Sequence, residues 1–421
     1  MKKYLMMIAL AATLYSCHKD DDDPVDKRAQ RTVLVYMAAE NNLMRFASDD
    51  LEEMMLGSLS LKEDQNLIVY VDKANSSTTP YLARVVNGEL KDTLYMKEGL
   101  AADPTILEQT LKSAMELYPA KSYGLVLWGH ASGWLISKSD SISAASRAYG
   151  GSTGNGSSFG SGKYWMNIPN MAKAIANALG DQKLKFILGD CCSFGCVEVA
   201  YELRNLTEYV IGSPAEVPDM GAPFDLTVPD MFSESDLFYQ QMIDHYYNYY
   251  LTVYDEQGSR YYNRFTGDLK GYSVPLAAIK TDELDNLASA TSTLLNTIKD
   301  KVSQGGSMDF DKVMFYAIYS NYPYSLDICD MLKRNATKEA FDRWYPVFEK
   351  TVPYRKYSAK WMTNSSQLAY NMDDFTATAD NCGCISMFFP DDSYADTDTQ
   401  WNKAIQQYQW NNVIRWEQYG W

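Results

Sequence analysis

Histidine is scarce in this chain, with three in 421 residues: His18, His130 and His245. Cysteine is little commoner at seven, and no two CxxC motifs pair in zinc-site spacing. The dense, even cysteine framework of a small disulfide-stapled protein is missing too. No EF-hand spacing occurs, so the residues give no reason to expect a required metal or any other cofactor. Internal repeats are lacking. Basic residues are outnumbered 38 to 54 and the net charge is −16, which argues against a generic binder of nucleic acid or of anionic membranes. What is present is apolar content: 46% hydrophobic against 22% charged residues, enough for a well-filled core.

Residues 1–16 read as a targeting segment. Lys2 and Lys3 precede an apolar run, Tyr4 to Leu14, that is too short to remain as a membrane span. Leu14-Tyr15-Ser16-Cys17 resembles a bacterial lipobox, which implies lipidation of Cys17. The acidic run Asp20 to Asp23 resembles the surface-export signal of Bacteroidetes lipoproteins. Residues 17–30 are then a tether. The expectation is an extracytoplasmic, surface-exposed lipoprotein of the bacterial outer membrane, attached through its lipid anchor.

Beyond the tether, apolar runs alternate with helical periodicity. Strands are expected at Arg31 to Ala38, Asn66 to Val71, Tyr123 to Trp128, Phe186 to Leu188 and Glu208 to Gly212. Tyr81 to Val86 and Leu90 to Met96, split by Asn87-Gly88, read as a β-hairpin. Helices are expected over Met44 to Leu56, from Asp103-Pro104 to Leu117, Pro169 to Leu179, 228–265 and Asp282 to Val302. From Met308 the pattern reads as helices to Glu349, then an apolar strand at 384–390 and an aromatic C-terminal helix. Strand and helix in alternation imply an α/β fold with a mostly parallel sheet flanked by helices. The organisation expected is a main domain over 31–304 and a smaller α+β portion over 305–421.

In such sheets chemistry gathers at the carboxyl ends of the strands. One strand ends at Gly129-His130, and the next at Asp190-Cys191-Cys192 before a helical pattern. Adjacent strands lie about 4.8 Å apart, so side chains from the two ends can meet. A thiol at a helix start would lose its proton more easily. Consecutive residues point to opposite sides, so only one of the two thiols should face His130. Between the two motifs, residues 137–163 hold nine serines and six glycines and read as a flexible loop open to proteolysis.

Three stretches carry a family resemblance: Leu127-Trp-Gly-His-Ala-Ser-Gly-Trp134, Gly189-Asp-Cys-Cys192 ahead of Val197 to Leu203, and the loop Ser213 to Pro218. With the strand Ile385 to Pro390, they resemble the clostripain-like cysteine peptidases, relatives of caspases, gingipains and legumains, over roughly residues 31 to 391. The resemblance implies a caspase-like three-layer sandwich. It implies His130 as base and Cys192 as nucleophile, although Cys191 stands where the family usually has a small residue. Asp190 matches an acid that helps shape a pocket for a basic side chain, and Glu216 and Asp219 are further acids on the next strand-end loop. Backbone amides at Gly129 and Ala131 are candidates for the oxyanion site. Self-cleavage in the 137–163 loop is also implied, with Arg147–Ala148 the first choice of bond and Lys138 and Lys163 the alternatives. Some members need calcium, but no metal is expected here. The partners implied are protein or peptide substrates with arginine or lysine before the scissile bond, and the protein itself is expected as a monomer or a self-cleaved two-chain form. The rival expectation is an inactive peptidase-like surface lipoprotein that binds peptides or glycans, to which the 32 tyrosines and nine tryptophans lend support.

Overall fold

A computed structural model describes residues 28–73, 79–97, 99–136, 148–154, 162–261, 270–303, 308–319, 322–359, 361, 377–390 and 401–419. The leader, Cys17 and the tether up to residue 27 lie outside them. So do Lys138 and Arg147.

The chain order is β1 (Ala29–Ala39), α1 (Phe46–Ser58), β2 (Gln65–Lys73), β3 (Tyr81–Val86), β4 (Glu89–Tyr95), α2 (Pro104–Leu117), β5 (Ala120–Trp128), β6 (His130–Ala131), β7 (Tyr149–Ser152) and β8 (Tyr164–Met166). There follow α3 (Ile168–Leu179), β9 (Phe186–Asp190), α4 (Val197–Leu203), β10 (Tyr209–Gly212), α5 (Phe224–Met231), α6 (Phe238–Tyr261), β11 (Leu276–Lys280) and α7 (Leu284–Ser303). The last part holds β12 (Phe315–Tyr319), β13 (Tyr322–Asp327), α8 (Ile328–Asn335), α9 (Lys338–Thr351), β14 (Tyr354–Lys356), β15 (Ser386–Met387), α10 (Trp401–Ala404) and α11 (Gln409–Ile414).

Nine strands form one sheet in the order β14-β11-β10-β9-β5-β1-β2-β3-β4. Its centre, β10 to β2, is parallel, and antiparallel pairs close both edges. Period-two alternation explains the three layers. Leu34, Tyr36 and Ala38 of β1 face one core with α2, α3, α4 and α7, while Val33, Val35 and Met37 face the other with α1, α5 and α6. Local signals fall where the chemistry requires them. Asp103 caps α2 by accepting from the Thr105 N–H at 2.8 Å, with Pro104 in the first turn. The β3–β4 turn puts Asn87 and Gly88 at φ 52° and 77°, the left-handed geometry that two-residue hairpins need.

Two expectations are corrected. Part of the stretch read as helical after Met308 is the hairpin β12–β13, which forms a three-stranded sheet with β15. Its β-branched and aromatic residues, Phe315, Tyr316, Ile318, Tyr322 and Tyr324, suit a pleated surface better than a helix. Within 137–163, residues Tyr149–Ser152 form β7, paired on one side with β6 and on the other with β8. In addition, β14 joins the nine-stranded sheet, and residues on both sides of position 304 share one core. The 305–421 portion is thus built onto the main sheet. Among the described residues no helix is long and apolar enough to cross a membrane.

Candidate active site

Three neighbouring parallel strands end side by side. Met37 of β1 pairs with Trp128 of β5, and Trp128 with Asp190 of β9. The chain beyond these rows delivers Asn42, His130 and Cys192, in that spatial order.

His130 follows a glycine whose φ is +145° and whose missing Cβ would stand 3.2 Å from the Ala38 carbonyl oxygen. Only glycine lets β5 pass so close over the end of β1. The Gly129 N–H donates to the Asp190 carbonyl oxygen at 3.3 Å. That bond ties β5 to β9 and takes this amide away from an oxyanion role. His130 and Ala131 form β6, opposite Gly150 and Tyr149. The His130 ring is half-buried, with Nε2 2.8 Å from Asn42 Oδ1 and the Trp165 ring centroid 6.3 Å away.

After Asp190 the chain does not enter a helix at once. Residues 191–196 form a loop, and α4 begins at Val197 with Cys196 as its N-cap. The helix start therefore cannot acidify the Cys192 thiol, contrary to the expectation. The loop leans on the 213–217 segment: the Ser193 N–H donates to Ala215 O at 2.9 Å and the Gly195 N–H to Ser213 O at 2.8 Å. Ser193 takes φ +57°, a left-handed conformation uncommon for a residue with a side chain. A Cβ on Gly195 would lie 2.7 Å from Pro214 N, so the contact is backbone on backbone. Gly189 is equally constrained, since a Cβ there would fall 2.2 Å from the Phe194 ring.

The two thiols diverge. Cys191 is buried in the core on the α3 and α4 side. Cys192 is partly buried, its Sγ accepting from the Val217 N–H at 3.4 Å and 3.7 Å from the Val217 carbonyl oxygen. Burial, reinforced by the Glu216 carboxylate, pushes the Cys192 thiol up to about 12. In this resting state it is a protonated thiol that needs a base.

The acids fall at different depths. Asp190 is 3% exposed and accepts from the Tyr246 hydroxyl at 2.7 Å and the Ala222 N–H at 3.1 Å. Burial raises its carboxyl to about 6, and those two donors oppose the rise. It lies directly beneath Gly221, together with Asp50, whose Oδ2 accepts from Trp128 Nε1. Burial and the neighbouring Asp190 raise Asp50 to about 9. Glu216 and Asp219 lie higher on the loop and are partly exposed. The Asp219 carboxylate sits 3.7 Å from the Arg45 guanidinium.

The segment after residue 147 is locked against this centre. The Ser132 N–H donates to Ala148 O at 2.9 Å, and Ala148 itself is buried. Tyr149 sends its hydroxyl to two carbonyls near the carboxyl ends of β1 and β5, Tyr36 O at 3.1 Å and Trp128 O at 3.0 Å. Lys163 is exposed. From the far side the C-terminal portion buttresses the 191–196 loop. The Ser386 N–H donates to Gly195 O at 3.0 Å, and the Phe388 N–H to Glu198 Oε1 at 2.8 Å. Sequence reasoning missed Asn42, Asp50, Val217 and Tyr246. Nothing distinguishes these residue types from ordinary loop and helix residues until the strands are assembled. Among the described residues no group of three or more His, Cys, Asp or Glu side chains is arranged to hold a metal ion.

The clostripain family model matches residues 35–421. Among solved structures, a secreted C11 cysteine protease from Bacteroides thetaiotaomicron, in complex with an irreversible peptide inhibitor, is 28% identical with a TM-score of 0.73; the match covers 93% of this chain and 100% of that one. An inactive zymogen C11 protease from Parabacteroides distasonis is 25% identical with a TM-score of 0.70, covering 93% and 99%. No curated protein matches.

Proposed function

Since the chain belongs to the clostripain family and is a cysteine peptidase, we propose that it cleaves peptide bonds after arginine or lysine, with Cys192 as nucleophile and His130 as base. The observation that carries this reading is the partly buried thiol just past the end of β9, one strand over from the partly buried imidazole just past the end of β5. His130 takes the thiol proton as sulfur attacks the scissile carbonyl. The tetrahedral oxyanion is held by the backbone N–H groups of Ala131 and Cys192. Collapse expels the amine, protonated by His130, and leaves a thioester on Cys192. Water, deprotonated by His130, then releases the acid and restores the thiol.

A basic side chain suits the acids around the thiol. Glu216 lies close enough to raise the thiol, and Asp219 already draws the Arg45 guanidinium to 3.7 Å. Asp190 backs the same loop from below. A carboxylate meets a guanidinium through two parallel hydrogen bonds, which favours arginine over lysine.

Self-cleavage at Arg147–Ala148 fits the same geometry. Ala148, the residue that would follow the cut, accepts from the N–H of Ser132, two residues past His130. The zymogen described for the Parabacteroides relative is in keeping with such activation. The leader, the lipobox-like Cys17 and the acidic run support export and lipid anchoring at the outer membrane, and the relative from B. thetaiotaomicron is described as secreted.

The test is turnover of an Arg-coumarin amide by purified protein, beside the Lys analogue and Cys192→Ala. Arg turnover that exceeds Lys turnover and vanishes in Cys192→Ala is expected. No turnover by processed wild-type protein would favour the rival, a peptidase-like lipoprotein that only binds.

A further inference from the structure

We propose that Asn42 is a positioning residue for His130, which makes the site a thiol–imidazole–carboxamide row rather than a pair. The inference rests on the reading of His130 as base given above. Its own observation is separate: His130 Nε2 stands 2.8 Å from Asn42 Oδ1.

The sheet explains why an asparagine arrives there. β1 lies beside β5, and β5 beside β9, so the turn leaving β1 reaches the imidazole from the side opposite the thiol. That turn is held by its neighbour. Asn41 is fully buried; its Oδ1 accepts from the Leu43 N–H at 2.9 Å, and its Nδ2 donates to Ala38 O at 2.9 Å and Gly150 O at 3.2 Å. The Asn41 N–H also donates to Ala39 O at 2.8 Å. Gly150 is the residue paired with His130 across β6 and β7. One buried side chain thereby fixes both the turn that carries Asn42 and the strand that flanks the histidine. Asn42 is exposed but stands on a pinned frame.

The chemistry follows from what a carboxamide oxygen can do. It only accepts, so its partner must carry hydrogen. His130 Nε2 is then the protonated nitrogen of the neutral ring, and Nδ1 holds the lone pair that receives the thiol proton. Asn42 selects that tautomer, fixes the ring plane, and stabilises the imidazolium formed on attack without adding a charge. With the Cys192 thiol held high by burial, an aligned base matters for every turnover. Because Asn42 is solvated, its loss should cost about tenfold or somewhat more, well short of the loss caused by removing a buried orienting carboxylate.

The experiment compares wild type, Asn42→Ala and Asn42→Asp. In Asn42→Ala, kcat for the Arg-coumarin amide is expected to fall about tenfold or more with KM within about twofold. In Asn42→Asp the acceptor is restored beside a negative charge. Most of kcat should return, and the limb of the pH profile that reports the imidazole should move to higher pH. Asn42→Ala with wild-type kcat, or an unmoved limb in Asn42→Asp, would overturn the proposal. A second readout does not depend on turnover. In ¹⁵N-histidine spectra of the Cys192→Ala protein, with His130 assigned through His130→Ala, the neutral ring should be the Nε2–H form, and it should become a mixture on adding Asn42→Ala. A ring protonated on Nδ1, or one insensitive to Asn42, refutes the proposal even if the enzyme proves inactive. Inactive wild type with the expected spectra would instead count against the peptidase reading alone.

Discussion

Glu198 offers a sharp test of how the C-terminal portion is fastened to the nucleophile loop. It is fully buried in the first turn of α4, two residues past Cys196. Its Oε1 holds the Phe388 N–H at 2.8 Å, while its Oε2 has no hydrogen-bond partner. Burial raises the carboxyl from 4.5 to about 7, and the Phe388 bond opposes the rise. The folded value lies above the unfolded one, so the contribution to stability is fully present below about pH 4.5 and is lost as pH rises through about 7. That gap amounts to roughly 3 kcal/mol. Glu198→Gln keeps an acceptor for Phe388 and cannot ionise. Compared in a Cys192→Ala background, which prevents self-digestion, the Gln variant should match the parent near pH 4.5. At pH 8.5 it should melt higher by roughly 3–4 °C, given the unfolding entropy of a chain this size. Scanning calorimetry of both proteins across this range gives the double difference and cancels every other titrating group. A difference that does not change with pH would show that Glu198 is not held as described.

Two further outcomes follow from the loops. Arg147→Ala should leave a single full-length species by intact mass after storage, whereas wild type yields two fragments; two fragments from both would move the cut to Lys138 or Lys163. Gly195→Ala places a methyl 2.7 Å from Pro214 N, against backbone that cannot turn aside. It should lower kcat/KM by about tenfold or more and cost about 1–3 kcal/mol of stability, read by kinetics and thermal melting. Full activity in that variant would mean the nucleophile loop is not seated on residues 213–215.

The layout of this centre was readable because each part sits at the end of an apolar strand. Trp128-Gly129-His130 and Gly189-Asp190 mark where β5 and β9 stop; Cys191 and Cys192 lie past the end of β9, so it is the loop over 191–196, and not strand alternation, that turns Cys191 into the core and leaves Cys192 at the surface side. The mostly parallel sheet followed from the same runs. What was not readable depended on long-range contacts with little local signal. Tyr149–Ser152 looks like loop because Gly150 and Gly151 have no apolar side chains to alternate, yet its backbone pairs with β6 on one side and β8 on the other. Asn42 resembles any turn asparagine until β1 is set beside β5. The acidity expected of a thiol at a helix start failed because four residues, 193–196, separate Cys192 from the first turn of α4 and the 213–217 segment covers them. Asp190 was readable as an acid two positions before Cys192. Its grip on Tyr246 and Ala222 was not, since both partners lie more than 30 positions away.

The central claim is that Cys192, and not its buried neighbour Cys191, carries out the attack. The most direct measurement is peptide-mapping mass spectrometry of the processed enzyme after titration with an arginyl chloromethyl ketone, with coumarin release followed in the same samples. The account predicts one adduct per chain, on Cys192, with activity lost in proportion to its occupancy. An adduct on Cys191, or turnover that persists when Cys192 is fully modified, would contradict it.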